Sequence, residues 1–272
     1  MNEFFTDVQI LPRGRYLQFA VGVKLLDDAI IRSNEPEEVL TYRYQKLGNR
    51  FIVPWRKVKG KVRRMAMEKM RGLNISPACA LKDALCMSCP CCFLFGGTGQ
   101  TGEVDAEYNL LSRVLGDTFI SRAKDRDIKI TSYTANAVDE RTLTTGQALM
   151  TMNKVPAETE FVGIVTLRDP TSETATILAD SLLRLTRLGA STREWGRCQT
   201  NILGYVLADR ERLSSYEAVE DGKDAGQPLK ELNLDLSSVD DAYRQFDNQV
   251  KELIKSLPVK QQTKGKGAKS KT

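Results

Sequence analysis

Four of the six cysteines in this 272-residue chain lie between Cys86 and Cys92, and a fifth, Cys79, stands just before them. Thiols crowded in this way do not suit a disulfide framework, which spreads its cysteines along the chain. In a reducing compartment they point to a metal. Cys86-x-x-Cys89 and Cys89-x-x-Cys92 each match half of a tetrathiolate zinc site, and Cys79 supplies a fourth ligand. No second, distant Cys-x-x-Cys completes a zinc ribbon, so buried reduced thiols are the competing reading, and Cys91 competes with Cys92 as ligand. Four thiolates would leave no position open for substrate, which makes the expected zinc structural. Cys198 falls within an apolar run and reads as core.

Histidine is absent. That removes serine–histidine and cysteine–histidine catalysis, histidine general bases and every histidine-containing metal site. The remaining chemistry belongs to thiols, carboxylates and cations. Arg56–Arg71 holds eight Lys or Arg residues against one acid, Glu68. Lys57, Lys61, Arg64 and Arg71 recur on one helical face, and Gly60 among them lets a phosphate backbone approach. The run Leu188-Gly189-Ala190-Ser191-Thr192-Arg193-Glu194-Trp195-Gly196-Arg197 offers small residues and two arginines for a backbone-amide phosphate cradle. A solvated helix face and an ordinary connector are the plainer readings of these two segments. The Asp27-Asp28 pair closes an apolar strand, where aspartates also serve as turn residues.

The formal charge of +5 is carried by the C-terminal end: Val259–Thr272 contains five lysines and no acid, and the rest of the chain balances thirty-five basic against thirty-five acidic residues. Nucleic-acid binding must therefore rest on local clusters. The 41% hydrophobic content suits a globular core. No apolar run reaches membrane-spanning length and the first residues lack a basic-then-apolar signal, so cytosol is the expected location.

Tyr16–Leu26 alternates apolar and polar as a half-buried strand does, and Phe51–Val53 reads as a second strand ending at Pro54. Arg56–Arg71 is the expected helix that follows. Phe93–Gly99 reads as a strand or turn, Ile128–Ala135 as a strand, and Gln147–Met152 with Glu160–Leu167 as a hairpin turning near Pro156. Ile177–Leu188 reads as a helix ended by Gly189, and Cys198–Leu207 as a buried strand. Ser237 is the expected cap of a long amphipathic helix that stops at Pro258, before a disordered lysine tail over 258–272. Strands interleaved with few helices give an α+β domain over 1–257 with an antiparallel sheet.

In this order the segments resemble a known family. Val53-Pro54…Lys59-Gly60-Lys61-x-Arg63 resembles the Pro…Lys-Gly-Lys-x-Arg element of the RAMP superfamily of CRISPR proteins, and Phe93-Leu94-Phe95-Gly96 is similar to the Phe-Gly element that follows it there. The stretch from Asn136 through Arg141-Thr142 to Val155-Pro156-Ala157-Glu158-Thr159-Glu160-Phe161 resembles the central hairpin of the backbone-forming branch. Gly189–Arg197 resembles its terminal glycine-rich loop. The nearest resemblance, over Tyr16–Leu207, is to the Cas-seven-like RNA-binding backbone subunit of type I-D effector complexes. Cys86-x-x-Cys89-Pro90-x-Cys92 fits the cysteine cluster of that subunit and favours Cys92 over Cys91.

The resemblance implies a modified RRM-like (ferredoxin-like) fold, with a basic helix and zinc-binding insertion at 54–115 and a hairpin insertion at 136–160. It implies several copies assembled along a CRISPR guide RNA with other effector subunits, gripping the backbone and leaving guide bases to pair with target DNA. The RNA-binding residues it implies are Lys57, Lys59, Lys61, Arg63, Arg64, Gly96, Gly97, Arg141, Arg193 and Arg197. Zinc falls to Cys79, Cys86, Cys89 and Cys92. Cutting relatives in type III complexes carry an aspartate in the loop after the first strand, where Asp28 is similar in placement. Type I relatives bind without cutting, so a scaffold and not an enzyme is expected. A cleaving backbone subunit and a zinc-stabilised protein-interaction domain are the alternatives.

Overall fold

The computed structural model describes residues 4–32, 39–81, 84–99, 108–127, 131–133, 137–139, 141–142, 144–146, 152–220, 228–231 and 236–257. In chain order its strands are β1 (Tyr16–Leu25), β2 (Thr41–Tyr44), β3 (Gly48–Val53), β4 (Val114–Gly116), β5 (Phe119–Ser121), β6 (Thr131–Tyr133), β7 (Ala137–Asp139), β8 (Thr144–Gly146), β9 (Met152–Lys154), β10 (Glu160–Arg168) and β11 (Cys198–Ala208). Its helices are α1 (Trp55–Gly72), α2 (Pro90–Phe95), α3 (Ser172–Leu183), α4 (Ser215–Glu220) and α5 (Val239–Lys255). This is an α+β fold. None of its described helices is long and apolar enough to cross a membrane.

The main sheet is antiparallel in the order β11-β1-β10-β5-β3-β2, with β4 also on β10. β1 is central because its alternation supplies both faces. Leu17, Phe19, Val21, Val23 and Leu25 enter the larger core beneath α1, α3 and α5, and Ala20 enters a smaller one with Ile164, Leu213 and Ala218. Gln18, also on that second face, is buried and satisfied: Thr166 and Leu213 accept from its amide, and the Leu213 N–H donates to its oxygen. The face that sequence alternation leaves half-exposed is thus covered by the segment leading into α4.

Helix α1 places Val58, Val62, Ala66, Met67 and Met70 in the core; its sequence period also puts Met65 on the apolar stripe, but that side chain is only half-buried. Helix α3 begins earlier than expected, at Ser172, because Thr171 and Thr174 form a reciprocal capping box. It also ends earlier, at Leu183, and Leu185 and Leu188 are buried from the non-helical chain beyond it. Cys89 caps α2 and Pro90 occupies its first position, so the segment expected as strand or turn at Phe93 is helical up to Phe95. β9 pairs with β6, and β10 pairs with β1, β4 and β5, so the expected β9–β10 hairpin does not form. β7 and β8 make a short hairpin of their own inside that insertion. β11 lies at the sheet edge with Gln199, Asn201 and Leu203 exposed, where a buried strand was expected. The cap of α5 is Ser238 and makes no side-chain capping bond; Ser237 lies in the 3-10 turn before it. The expected strand ends at Ile128–Ile130 and Ala135, the stretch Gln147–Thr151 and the tail 258–272 lie outside the described residues.

Candidate nucleic-acid cleft and metal centre

Helix α1 opens with Arg56, Lys57 and Lys59 and has no acid in its first turn. Cations there oppose the positive end of the helix dipole, an arrangement that costs stability unless an anion is near. The same end of the helix forms one wall of a cleft of about 290 Å³. Arg32, Arg56, Lys57, Lys61 and Arg64 line it, with Leu188, Gly189 and Ala190 opposite, and no acidic side chain is among its described lining residues. Burial, and then the nearby Arg64 charge, holds the Lys61 ammonium below its ordinary pKa.

The opposite wall is built by backbone hydrogen bonds to the segment after β1. Ala190 N–H donates to Ile30 O at 2.8 Å, Gly196 N–H to Asp28 O at 2.8 Å and Arg197 N–H to the Asp27 carboxylate at 2.7 Å. Gly189 and Gly196 adopt φ of +99° and +77°. A Cβ on Gly196 would meet Leu188 O at 1.9 Å, so only glycine closes this loop. Lys61 Nζ donates to Thr192 Oγ1 at 3.3 Å and joins the two walls directly.

The cations expected on α1 divide between its sides. Lys57, Lys61 and Arg64 line the cleft. Lys59 and Arg63 do not; the Lys59 ammonium donates to Ser112 Oγ at 2.8 Å, and burial followed by the Arg63 charge lowers its pKa. At 3.6 residues per turn, Lys57 and Lys59 point about 200° apart.

The cysteines meet on the far side of the same helix system. The sulfurs of Cys79, Cys86, Cys89 and Cys92 all lie within 4.8 Å of one another, with Cys79–Cys92 at 3.6 Å and Cys79–Cys89 at 3.7 Å. A tetrahedral ion with metal–sulfur bonds of about 2.3 Å requires sulfur separations of about 3.8 Å. These four thiols can hold a metal ion. The Cys92 N–H points at Cys89 Sγ at 3.4 Å, the kind of outer contact that orients a ligand. Hydrogen bonds from Cys79, Cys89 and Cys92 draw the Cys86 thiol far down, favouring its thiolate. Cys91 is fully buried and outside this group; burial pushes its thiol up.

A family model described as "Csc2 Crispr" matches residues 3–270. The chain belongs to the Csc2 CRISPR family. The crystal structure of Thermofilum pendens Csc2 shares its fold, with a TM-score of 0.56 at 19% identity, covering 90% of this chain and 78% of that one. A chain from a type IV-B CRISPR complex aligns with a TM-score of 0.48 at 12% identity, over 71% of this chain and 90% of that one. No curated protein matches the sequence significantly.

The remaining candidate residues of this Csc2-family chain are dispersed. Gly96 is buried, with the Leu110–Ser112 backbone where a Cβ would stand, and Gly97 lies beside Met87. Both belong to the packing around the cysteines. Arg141 is exposed in the β7–β8 turn, and Arg193 and Arg197 are exposed on the glycine loop. Asp28 accepts from the Ala157 N–H at 3.1 Å and has Lys154 Nζ at 4.0 Å. Two cleft cations escaped the sequence reading. Arg56 lies in the basic helix but off the face that was singled out. Arg32 stands beyond the end of β1, and nothing in its neighbourhood signals a site.

Proposed function

We propose that this chain is a CRISPR RNA-binding backbone subunit of a type I-D interference complex, which polymerises along the guide RNA and presents it to target DNA. The single observation that carries this is the cleft between α1 and the glycine loop, which Arg32, Arg56, Lys57, Lys61 and Arg64 line with no acid among the described lining residues. Polyanion backbone is the ligand such a cleft suits, and it gives affinity without sequence preference. The alternation β1-α1-β5-β10-α3-β11, in the sheet order β11-β1-β10-β5, supports an RRM-like reading of the fold. Membership of the Csc2 CRISPR family supports the complex and its other subunits as partners. Zinc is the ion we assign to Cys79, Cys86, Cys89 and Cys92, on the tetrathiolate donor set. We assign no catalytic activity, since Asp28 is engaged by Ala157 and Lys154.

The test is filter binding of RNA-free protein to several unrelated single-stranded RNAs across a salt series. Similar affinities with a steep, shared salt dependence are expected. No binding, or binding to one sequence alone, would overturn the reading.

A further inference from the structure

Ile10, Leu11 and Leu111 are three of the seven large apolar side chains that stand exposed among the described residues, and all three border one groove. Leu11 is 77% exposed and Leu111 73%. The groove holds a cavity of about 260 Å³ between the segment before β1, the segment before β4 and the end of α5, which contributes Leu253 and Ile254. Single exposed leucines are ordinary, but several gathered on one concave face mark a surface that meets another molecule.

The charged groups of the groove are two guanidiniums, and no acid is among its described lining residues. Arg113 lies over the Phe93 ring at 4.5 Å, donates to the Gln9 and Ile10 carbonyls, and has the buried Asp169 carboxylate at 3.9 Å. Burial lowers the Arg113 pKa to about 10; Asp169 opposes that fall and the Arg168 charge adds to it. Arg168 is less well served. The one hydrogen bond described for its guanidinium is a long one, from Nη2 to Ser112 O at 3.5 Å, and its Nε is buried without a partner. A buried donor left unpaired costs stability, and two cations here share one acid.

We propose that this groove docks a segment of another protein subunit in which apolar side chains flank a glutamate or an aspartate. The carboxylate accepts from Arg168 and supplies the acid that the arginine pair lacks, while the apolar flanks cover Leu11 and Leu111. A phosphate backbone would satisfy the arginines but leave the leucines in water, so charge and apolar surface together favour a protein segment. The groove shares no lining residue with the cationic cleft, and the inference goes beyond the binding of RNA.

The test uses the full-length protein with isotope-labelled Ile and Leu methyls and two acetylated, amidated peptides, Leu-Glu-Leu-Leu and Leu-Gln-Leu-Leu. The glutamate peptide should shift the Leu111, Leu253 and Ile254 methyl resonances and bind at least about tenfold more tightly than the glutamine peptide. In Arg168→Met the two peptides should bind alike. Leu111→Ser, at an exposed position, should weaken both. Melting midpoints equal to the parent's exclude misfolding of either variant. No binding of the glutamate peptide, equal affinities in the parent, or a glutamate preference that survives Arg168→Met overturns the inference. Shifts of the same methyls by a single-stranded oligoribonucleotide would overturn it in favour of nucleic acid, and shifts on raising protein concentration alone in favour of a second copy. No nucleic acid enters the peptide titration, so its result is separate from that of the RNA-binding test.

Discussion

Asp28 and Ala157, 129 residues apart in sequence, are joined by a 3.1 Å hydrogen bond from the Ala157 amide to the Asp28 carboxylate. The bond ties the end of β1 to the chain leading into β10, directly under the glycine loop. Asp28→Ala removes that acceptor and the carboxylate facing the buried Lys154 ammonium. We expect a loss of about 1–3 kcal/mol in urea denaturation, and less for Asp28→Asn, which can still accept from Ala157. We expect no magnesium-dependent cleavage of a complementary strand that relies on Asp28. Regularly spaced products that vanish in Asp28→Ala would make the subunit a nuclease.

The cleft cations should act as a set. Lys57→Ala, Lys61→Ala and Arg64→Ala should each weaken binding similarly for unrelated RNA sequences and lower the salt slope by about one per lost phosphate contact. Lys59→Ala should change the slope less, because its ammonium is engaged with Ser112 outside the cleft. An equal effect of Lys59→Ala would place the strand along both sides of α1.

Elemental analysis should find one metal ion per chain. Cys92→Ser should lose it and Cys91→Ser should keep it, given which sulfurs converge. Chelation should lower the melting midpoint by at least about 5 °C, since about 2–4 °C accompanies each kcal/mol in a chain of this size. Metal retained by Cys92→Ser would assign the fourth position elsewhere.

Burial raises the Asp117 carboxyl above its ordinary value, although the Ser215 N–H donates to it at 2.9 Å. A carboxyl raised on folding stabilises most at low pH, and that contribution is lost as pH rises through the folded value. Asp117→Asn has no such loss. Its stability relative to the parent should therefore increase from pH 4 to pH 7, read from denaturation midpoints. A difference constant with pH would show that Asp117 is not shifted.

The parts legible in sequence were those governed by local period and spacing. The alternation of β1 and the apolar stripe of α1 are set by neighbours within a few residues, and Cys89 and Cys92 meet because their spacing spans one turn at the start of α2. What escaped was decided by distant partners. β9 chose β6 over β10, and Gln18 was buried by a segment 195 residues away. The start of α3 was hidden because its capping box uses Thr174 where the usual signature has an acid or amide. The resemblance groups Lys59 and Arg63 with Lys57, Lys61 and Arg64 as RNA-binding residues, and only the direction of each side chain separates them.

The bond from Lys61 to Thr192 spans 131 residues, and among the described strands β1 pairs with those that begin at Glu160 and Cys198. A ribosome therefore releases the cationic helix long before it releases the wall that faces it. During most of synthesis the basic segment is an unshaped polycation, able to attract any RNA nearby but unable to enclose one. The cleft takes its shape only after β10, the glycine loop and β11 have emerged and joined β1. Ordering the walls in this way makes the finished cleft coincide with the finished fold.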